Sequence, residues 1–470
     1  MDFCSLDFIF IFLPIVVICH KLVDDYLKNA VLMLSSVIFY CFAVNGHYEW
    51  LLFLVISAVF YFVMGKVIAK SKGKQRKTNL WIGAIFGIVM LVFFKYGGAV
   101  FGTSLSPLFA GSESDSGAFT LLLPLGISFY SFKNVSYLHE VYKKDVPPAK
   151  SFVNYAAYIM MFPEVISGPI QTYKSFRPYM RRSVTSEQIN EGLSEFIIGF
   201  ALKQMLANRL GSVWSGILRI GYDGISTPLA WFGVISFSLQ LYFDFYGYSL
   251  MAVGIGKMLG YEIPKNFDHP YMSKSVGEFW RRWHITLGDW FKENIYFPLG
   301  GNRVDKKIKV YRNLLAVWIV TGLWHGSTWN YLIWGLFLFA FIALERTGKI
   351  DFIIKNNVLS HIYAVFIIVI SWMIFKLENL SDIPVYLSRM FPLFTETPTY
   401  VDKSDIFSVG SGLWVNFFAA IVFATSLPRK IYDRIKDKKW IVVPLLAVLF
   451  WYSVYLAACS SNDPFMYGNY

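Results

Sequence analysis

Apolar residues run along this chain in blocks separated by short polar clusters, a pattern that predicts membrane helices joined by loops. Three blocks open it, at residues 6–19, 30–44 and 50–69. Lys70, Lys72, Lys74, Arg76 and Lys77 follow and mark a cytoplasmic loop by their excess of positive charge. Counting back through three crossings puts the N-terminus outside. The fourth block, 80–101, returns outward to a Gly/Ser-rich loop whose only charges are Glu113 and Asp115. From 119 to 178 the blocks shorten, broken by PLG, EVISGPI and FRPY. None reaches the ~20 residues of a full crossing, so half-helices and re-entrant pieces are expected there. Longer helices are expected at 189–218 and 231–259. Between 265 and 303, Trp280, Trp283 and Trp290 alternate with Arg and Lys, which predicts a helix lying along the cytoplasmic interface with its aromatic side down.

Residues 313–346 form an apolar stretch too long for one crossing and too short for two. Arg303, Lys306, Lys307, Lys309 and Arg312 precede it, and Arg346 and Lys349 follow it. With both basic flanks cytoplasmic, the segment enters and comes back, and His325, followed by Gly326, Ser327 and Thr328, sits at the turn. Blocks at 361–375, 413–427 and 440–458 close the chain. The linker between the first two leans acidic and is placed outside; PRKIYDRIKDKK between the last two is basic and is placed inside. Both termini then face out. The expected fold is an all-α polytopic membrane protein of about 10–12 transmembrane helices plus re-entrant half-helices around a central cavity. It reads as one domain, with N-terminal helices in 1–118, a core in 119–345 and C-terminal helices in 346–470.

Composition agrees: of 470 residues, 56% are hydrophobic, 19% aromatic and 16% charged, with a mean hydropathy of +0.47. The net charge of +12 resides in basic clusters between apolar blocks, which fits cytoplasmic loops and not nucleic acid. Cys4, Cys19, Cys41 and Cys459 offer neither a disulfide framework nor metal-ligand spacing. The start lacks a basic n-region and a small-residue cleavage site, so it reads as the first transmembrane helix.

Of the seven histidines, His20, His47 and His361 fall at helix ends as interfacial residues, and His139 and His269 fall in polar turns. His284 lies in the aromatic, basic stretch. His325 stands apart because it is deep in an apolar segment, where ionisable groups are functional-site candidates by default. In a low dielectric its imidazole rests neutral, able to accept a proton. Asp244 costs ~2.5 to 3.5 kcal/mol in a span and so faces the interior with a partner, either as a structural hydrogen bond or as part of the site. No GxSxG, Walker, GxGxxG or HExxH motif and no metal cluster occurs in a plausible context. Two readings follow: a membrane enzyme with a histidine base, or a transporter with a His/Asp244 proton relay. The second predicts inverted repeats and paired intramembrane carboxylates; neither is visible, which favours the enzyme.

The stretches WRRWHITLGDWFKENIYFPLGGNR and TGLWHGSTWNYLIWG resemble the membrane-bound O-acyltransferase family, in particular its bacterial alginate O-acetylation type. PLGISFYSFKNVSYLHEVYK, MFPEVISGPI and LYFDFYGYSLMAVGIGKMLGYEIPKNFDHPY extend the resemblance over 124–334 in the same order. It implies that His325 is the catalytic histidine and His284 the second, less stringently required one. Leu250 stands where the family has aspartate and Leu338 where it has histidine, while Glu140, Lys292 and Glu293 keep the family's charge type. The implied reaction moves an acyl group, most simply acetyl, from a cytoplasmic thioester such as acetyl-CoA to an extracytoplasmic hydroxyl, with no bound cofactor or metal. The implied acceptor is a cell-surface or secreted polysaccharide or an exported SGNH-type acyltransferase partner, and the implied location is the plasma membrane. D-alanyl transfer to teichoic acid is the alternative within the family. Substrate-binding candidates are Trp324 and Asn330 beside His325, Arg281 and Arg282 for donor phosphates, and Asp244; the sequence identifies no oxyanion donor beyond the candidates Asn330 and Ser327.

Overall fold

The computed structural model describes residues 1–101, 111–113, 119–121, 123–180, 182–392 and 401–459. Asp115 with most of its Gly/Ser-rich loop, residues 393–400 of the acidic linker and the C-terminal end placed outside lie beyond the described residues. Within them the chain is helical apart from one antiparallel ladder, in which Glu113 pairs with Phe119 and Gly111 with Leu121. Among the described residues, four helices are long and apolar enough to cross a membrane: Glu49–Lys70, Gly73–Gly97, Asn357–Lys376 and Lys439–Cys459. Phe8–Leu22, Lys28–Ala43 and Trp414–Phe423 are shorter apolar helices. The protein is an all-α multi-pass membrane protein.

The chain divides into two compact units. The first holds Met1–Ile197 and Tyr248–Lys265. Its middle is built from the short helices Ile127–Lys143, Phe152–Met160, Phe162–Val165 and Tyr173–Phe176, as the broken hydrophobic pattern requires. Most of their residues are buried in protein, the condition under which interrupted backbone survives at membrane depth. A buried ion pair, Lys133 Nζ to Glu164 Oε2 at 2.5 Å, ties the first of these helices to the third.

The second unit holds Ile198–Gly247 and Asn266–Met466, and every sequence-selected site residue is in it. Its dominant feature is the expected hairpin. Lys307–His325 and Trp329–Thr347 are antiparallel helices joined by three residues. Glycine makes the close approach possible, since a Cβ on Gly322 would lie 2.7 Å from the Tyr331 carbonyl oxygen and one on Gly335 2.5 Å from that of Trp318. Small residues at these crossings bring backbone against backbone, which is how membrane helices associate without a hydrophobic driving force between them.

The stretch 265–303 differs from expectation. It is not one interfacial helix but Val276–Arg282, then Ile285–Phe291, then a π-turn Lys292–Tyr296, broken where His284 adopts φ 43°. Its aromatic side is not turned to lipid either: Phe279 and Trp283 are buried in protein. The reason is that these rings find aromatic partners on the hairpin and on Asn357–Lys376, a gain of ~0.5 to 1.5 kcal/mol per pair beyond area burial.

Candidate active site

His325 is the last residue of the outgoing hairpin helix and is 6% exposed. Four rings enclose it. Trp334 and Phe375 stand perpendicular to it with centroids 5.0 Å away, Trp324 lies at 4.6 Å and Tyr331 at 6.1 Å. Asn330, fully buried in the first turn of the returning helix, donates from Nδ2 to the carbonyls of Phe375 at 3.1 Å and Ile374 at 3.5 Å, and accepts from Thr328 Oγ1 at 2.5 Å. Those carbonyls belong to the final turn of Asn357–Lys376, where intrahelical donors run out. Asn330 therefore braces Phe375 against His325.

His284 is buried, and its Nδ1 lies 3.1 Å from Asn266 Oδ1. The same oxygen accepts from the Thr286 backbone N–H at 3.3 Å and Thr286 Oγ1 at 2.9 Å. A backbone N–H can only donate, so that amide atom is an acceptor and Nδ1 carries the proton. The basic nitrogen of His284 is then Nε2. Burial pushes this imidazole down to about 3, so the ring is neutral at physiological pH.

One aromatic core joins the two histidine segments. Trp283 packs on Trp372 at 4.9 Å, and Trp280 on Trp318 at 5.2 Å and Trp334 at 5.4 Å. Phe375 completes it, 5.2 Å from Trp334 and 5.5 Å from Trp372. His325, Trp324 and Asn330 are thus together, and His284 adjoins them through tryptophan. Arg281 and Arg282 ride on the helix leading to His284. Arg281 is exposed, whereas Arg282 pairs with Glu278 at 2.7 Å and donates to the Asp268 carbonyl at 3.3 Å. Asp244 has the partner that its cost demands, Lys203 Nζ at 2.6 Å, both buried. Leu338 is wholly buried in the returning arm.

Four contributors escaped the sequence reading. Lys203 was detectable as a cation inside an apolar block. Asn266, Trp372 and Phe375 carried no local signal, because their importance comes from what tertiary packing brings beside them. Among the described residues no group of three or more His, Cys, Asp or Glu side chains is arranged to hold a metal ion.

The model of the MBOAT, membrane-bound O-acyltransferase family, matches residues 147–376, a segment containing both histidines and the tryptophan core. The chain is 36% identical to a probable alginate O-acetylase of Pseudomonas putida over 83% of this chain and 80% of that protein. It is 33% identical to a peptidoglycan O-acetyltransferase of Helicobacter pylori over 82% of this chain and 79% of that protein. A teichoic acid D-alanyltransferase of Streptococcus thermophilus is more distant, 27% identical over 65% of this chain and 73% of its own length. Similarity of that extent places the chain in the membrane-bound O-acyltransferase family.

Proposed function

We propose that this acyltransferase moves an acetyl group from a cytoplasmic thioester, with acetyl-CoA as the simplest donor, to a hydroxyl of a cell-surface or secreted polysaccharide, using His325 as the base. The observation that carries the reading is the aromatic box that holds the His325 ring at the turn of the hairpin. As the acceptor oxygen bonds to the thioester carbonyl carbon, the imidazole takes the hydroxyl proton. Collapse of the tetrahedral intermediate then breaks the C–S bond. The imidazolium returns the proton to the departing thiolate, leaving an ester, a free thiol and the original neutral histidine. Enclosure by Trp324, Trp334 and Phe375 orients the ring and excludes water, and holding donor and acceptor at one point supplies the orientation term.

Acetyl and polysaccharide are favoured by the alginate and peptidoglycan O-acetylating relatives, which match more of the chain at higher identity than the D-alanyl-transferring one. In this reading both basic flanks of the hairpin and exposed Arg281 face the cytoplasm, where an acyl donor's phosphates meet them, and both termini face out of the plasma membrane. The extracytoplasmic hydroxyl belongs either to the polymer or to an exported SGNH-type partner that passes the group on. The test is transfer of radiolabelled acetyl from acetyl-CoA by purified protein in liposomes, comparing wild type with folded His325→Ala. Loss of transfer supports the reading, and wild-type transfer by the variant overturns it.

A further inference from the structure

We infer that Glu345 is a positioning residue for acyl transfer: it sets the register of the segment bearing His284 against the hairpin bearing His325. Its carboxylate accepts from the backbone N–H of Val276 through Oε1 at 2.6 Å and from that of Gly277 through Oε2 at 3.0 Å. These are the first two residues of the helix Val276–Arg282. The third free N–H of that turn, Glu278, donates to Ser275 Oγ at 3.0 Å. The donors that a helix start leaves unsatisfied are thus divided between a local serine and a carboxylate from the hairpin's returning arm.

Gly277 makes the approach possible, because a Cβ there would stand 3.2 Å from Glu345 Oε2. Further along the same helix, Trp280 packs on Trp334 of the same returning arm. Glu345 and Trp334 are eleven residues apart, ~16 Å along a helix. The short helix is therefore held at two separated points of one arm, which fixes both its axial position and its rotation. His284 comes two residues after its last, Arg282, so any slip at the Glu345 end is passed to that imidazole through less than three turns of helix. An ordinary N-cap on the chain's own preceding residues would complete the helix without this consequence. What distinguishes Glu345 is that its cap crosses from the hairpin's returning arm, the helix packed against the one that ends in His325.

The inference rests on the proposed role of His325, and the test separates the two. Wild type, Glu345→Gln, Glu345→Ala, Gly277→Ala and His325→Ala are reconstituted in liposomes, normalised to monodisperse folded protein and assayed for acetyl transfer over a range of pH. Glutamine keeps one acceptor oxygen, so kcat is expected to fall ~10-fold in Glu345→Gln and ~100-fold in Glu345→Ala. KM for the thioester stays within about twofold and the pH midpoint stays in place, since Glu345 holds a helix start and passes no proton to the reacting groups. Gly277→Ala, which crowds the same carboxylate, shows the same kcat signature at smaller size. Should Glu345→Ala fail to fold, Glu345→Gln and Gly277→Ala carry the decision. Wild-type kcat in the folded Glu345 variants, a moved pH midpoint, or a raised KM at unchanged kcat would each overturn the inference. An active His325→Ala would instead overturn the base assignment.

Discussion

The Lys203–Asp244 pair allows the sharpest test of how this fold tolerates charge. The two groups meet at 2.6 Å with side chains 0% and 3% exposed. At an effective dielectric of ~20 their attraction is about 6 kcal/mol, most of it offset by the cost of removing both from water. Asp244→Asn takes the carboxylate away from a buried ammonium, and Lys203→Met takes the ammonium away from a buried carboxylate. Each should cost ~3 to 5 kcal/mol, whereas the double variant, which removes both charges, should cost much less than the sum. Unfolding entropy of ~2.1 cal/mol/K per residue over 470 residues is about 1 kcal/mol/K, so each single variant should melt ~3 to 5 °C lower and the double variant closer to wild type. Melting of detergent-extracted protein, followed by loss of the monodisperse species, measures this. Additive losses in the double variant would refute the coupling. The same samples decide what Asp244 does: a double variant that recovers stability and turnover makes the pair structural, and one that recovers stability alone puts Asp244 in the site.

Gly335→Ala places a methyl carbon 2.5 Å from the Trp318 carbonyl, a backbone atom that cannot swing aside. The hairpin arms must part, at ~1 to 3 kcal/mol, and both melting temperature and acetyl transfer should drop; an unchanged protein would contradict the close crossing. His284, held at about 3 in the fold against ~6.5 in the unfolded chain, makes the unfolded state bind the extra proton between those values. Its contribution to stability is complete above pH 6.5 and lost as pH falls toward 3. His284→Gln should therefore flatten the acid-side decline in melting temperature between pH 6.5 and 4.5, and an equal decline in both proteins would refute the burial argument.

Much of the architecture was legible because lipid imposes a length rule. The block lengths gave the apolar helices, the interrupted 119–178 region and a hairpin with His325 at or near its turn, where the structure makes it the final residue of the first arm. The stretch 265–303 was misread because aromatic residues alternating with arginine look the same whether they meet lipid or one another. Trp280 and Trp283 are settled by Trp318, Trp334 and Trp372, which are distant in sequence. The cost of an intramembrane aspartate foretold a partner for Asp244 without naming Lys203. Nothing local foretold Asn266, whose one oxygen sets the His284 tautomer, or Glu345, which reads in sequence as an ordinary charge at a helix end.

The central claim is that one buried imidazole moves the proton in acyl transfer. Its most direct measurement is single-turnover transfer from radiolabelled acetyl-CoA to a soluble hydroxyl acceptor by reconstituted His325→Gln, which preserves polarity and approximate volume. The account predicts a loss of ~100- to 10,000-fold in the chemical step, with donor affinity and melting temperature near wild type. Transfer at the wild-type rate by the folded variant would contradict it.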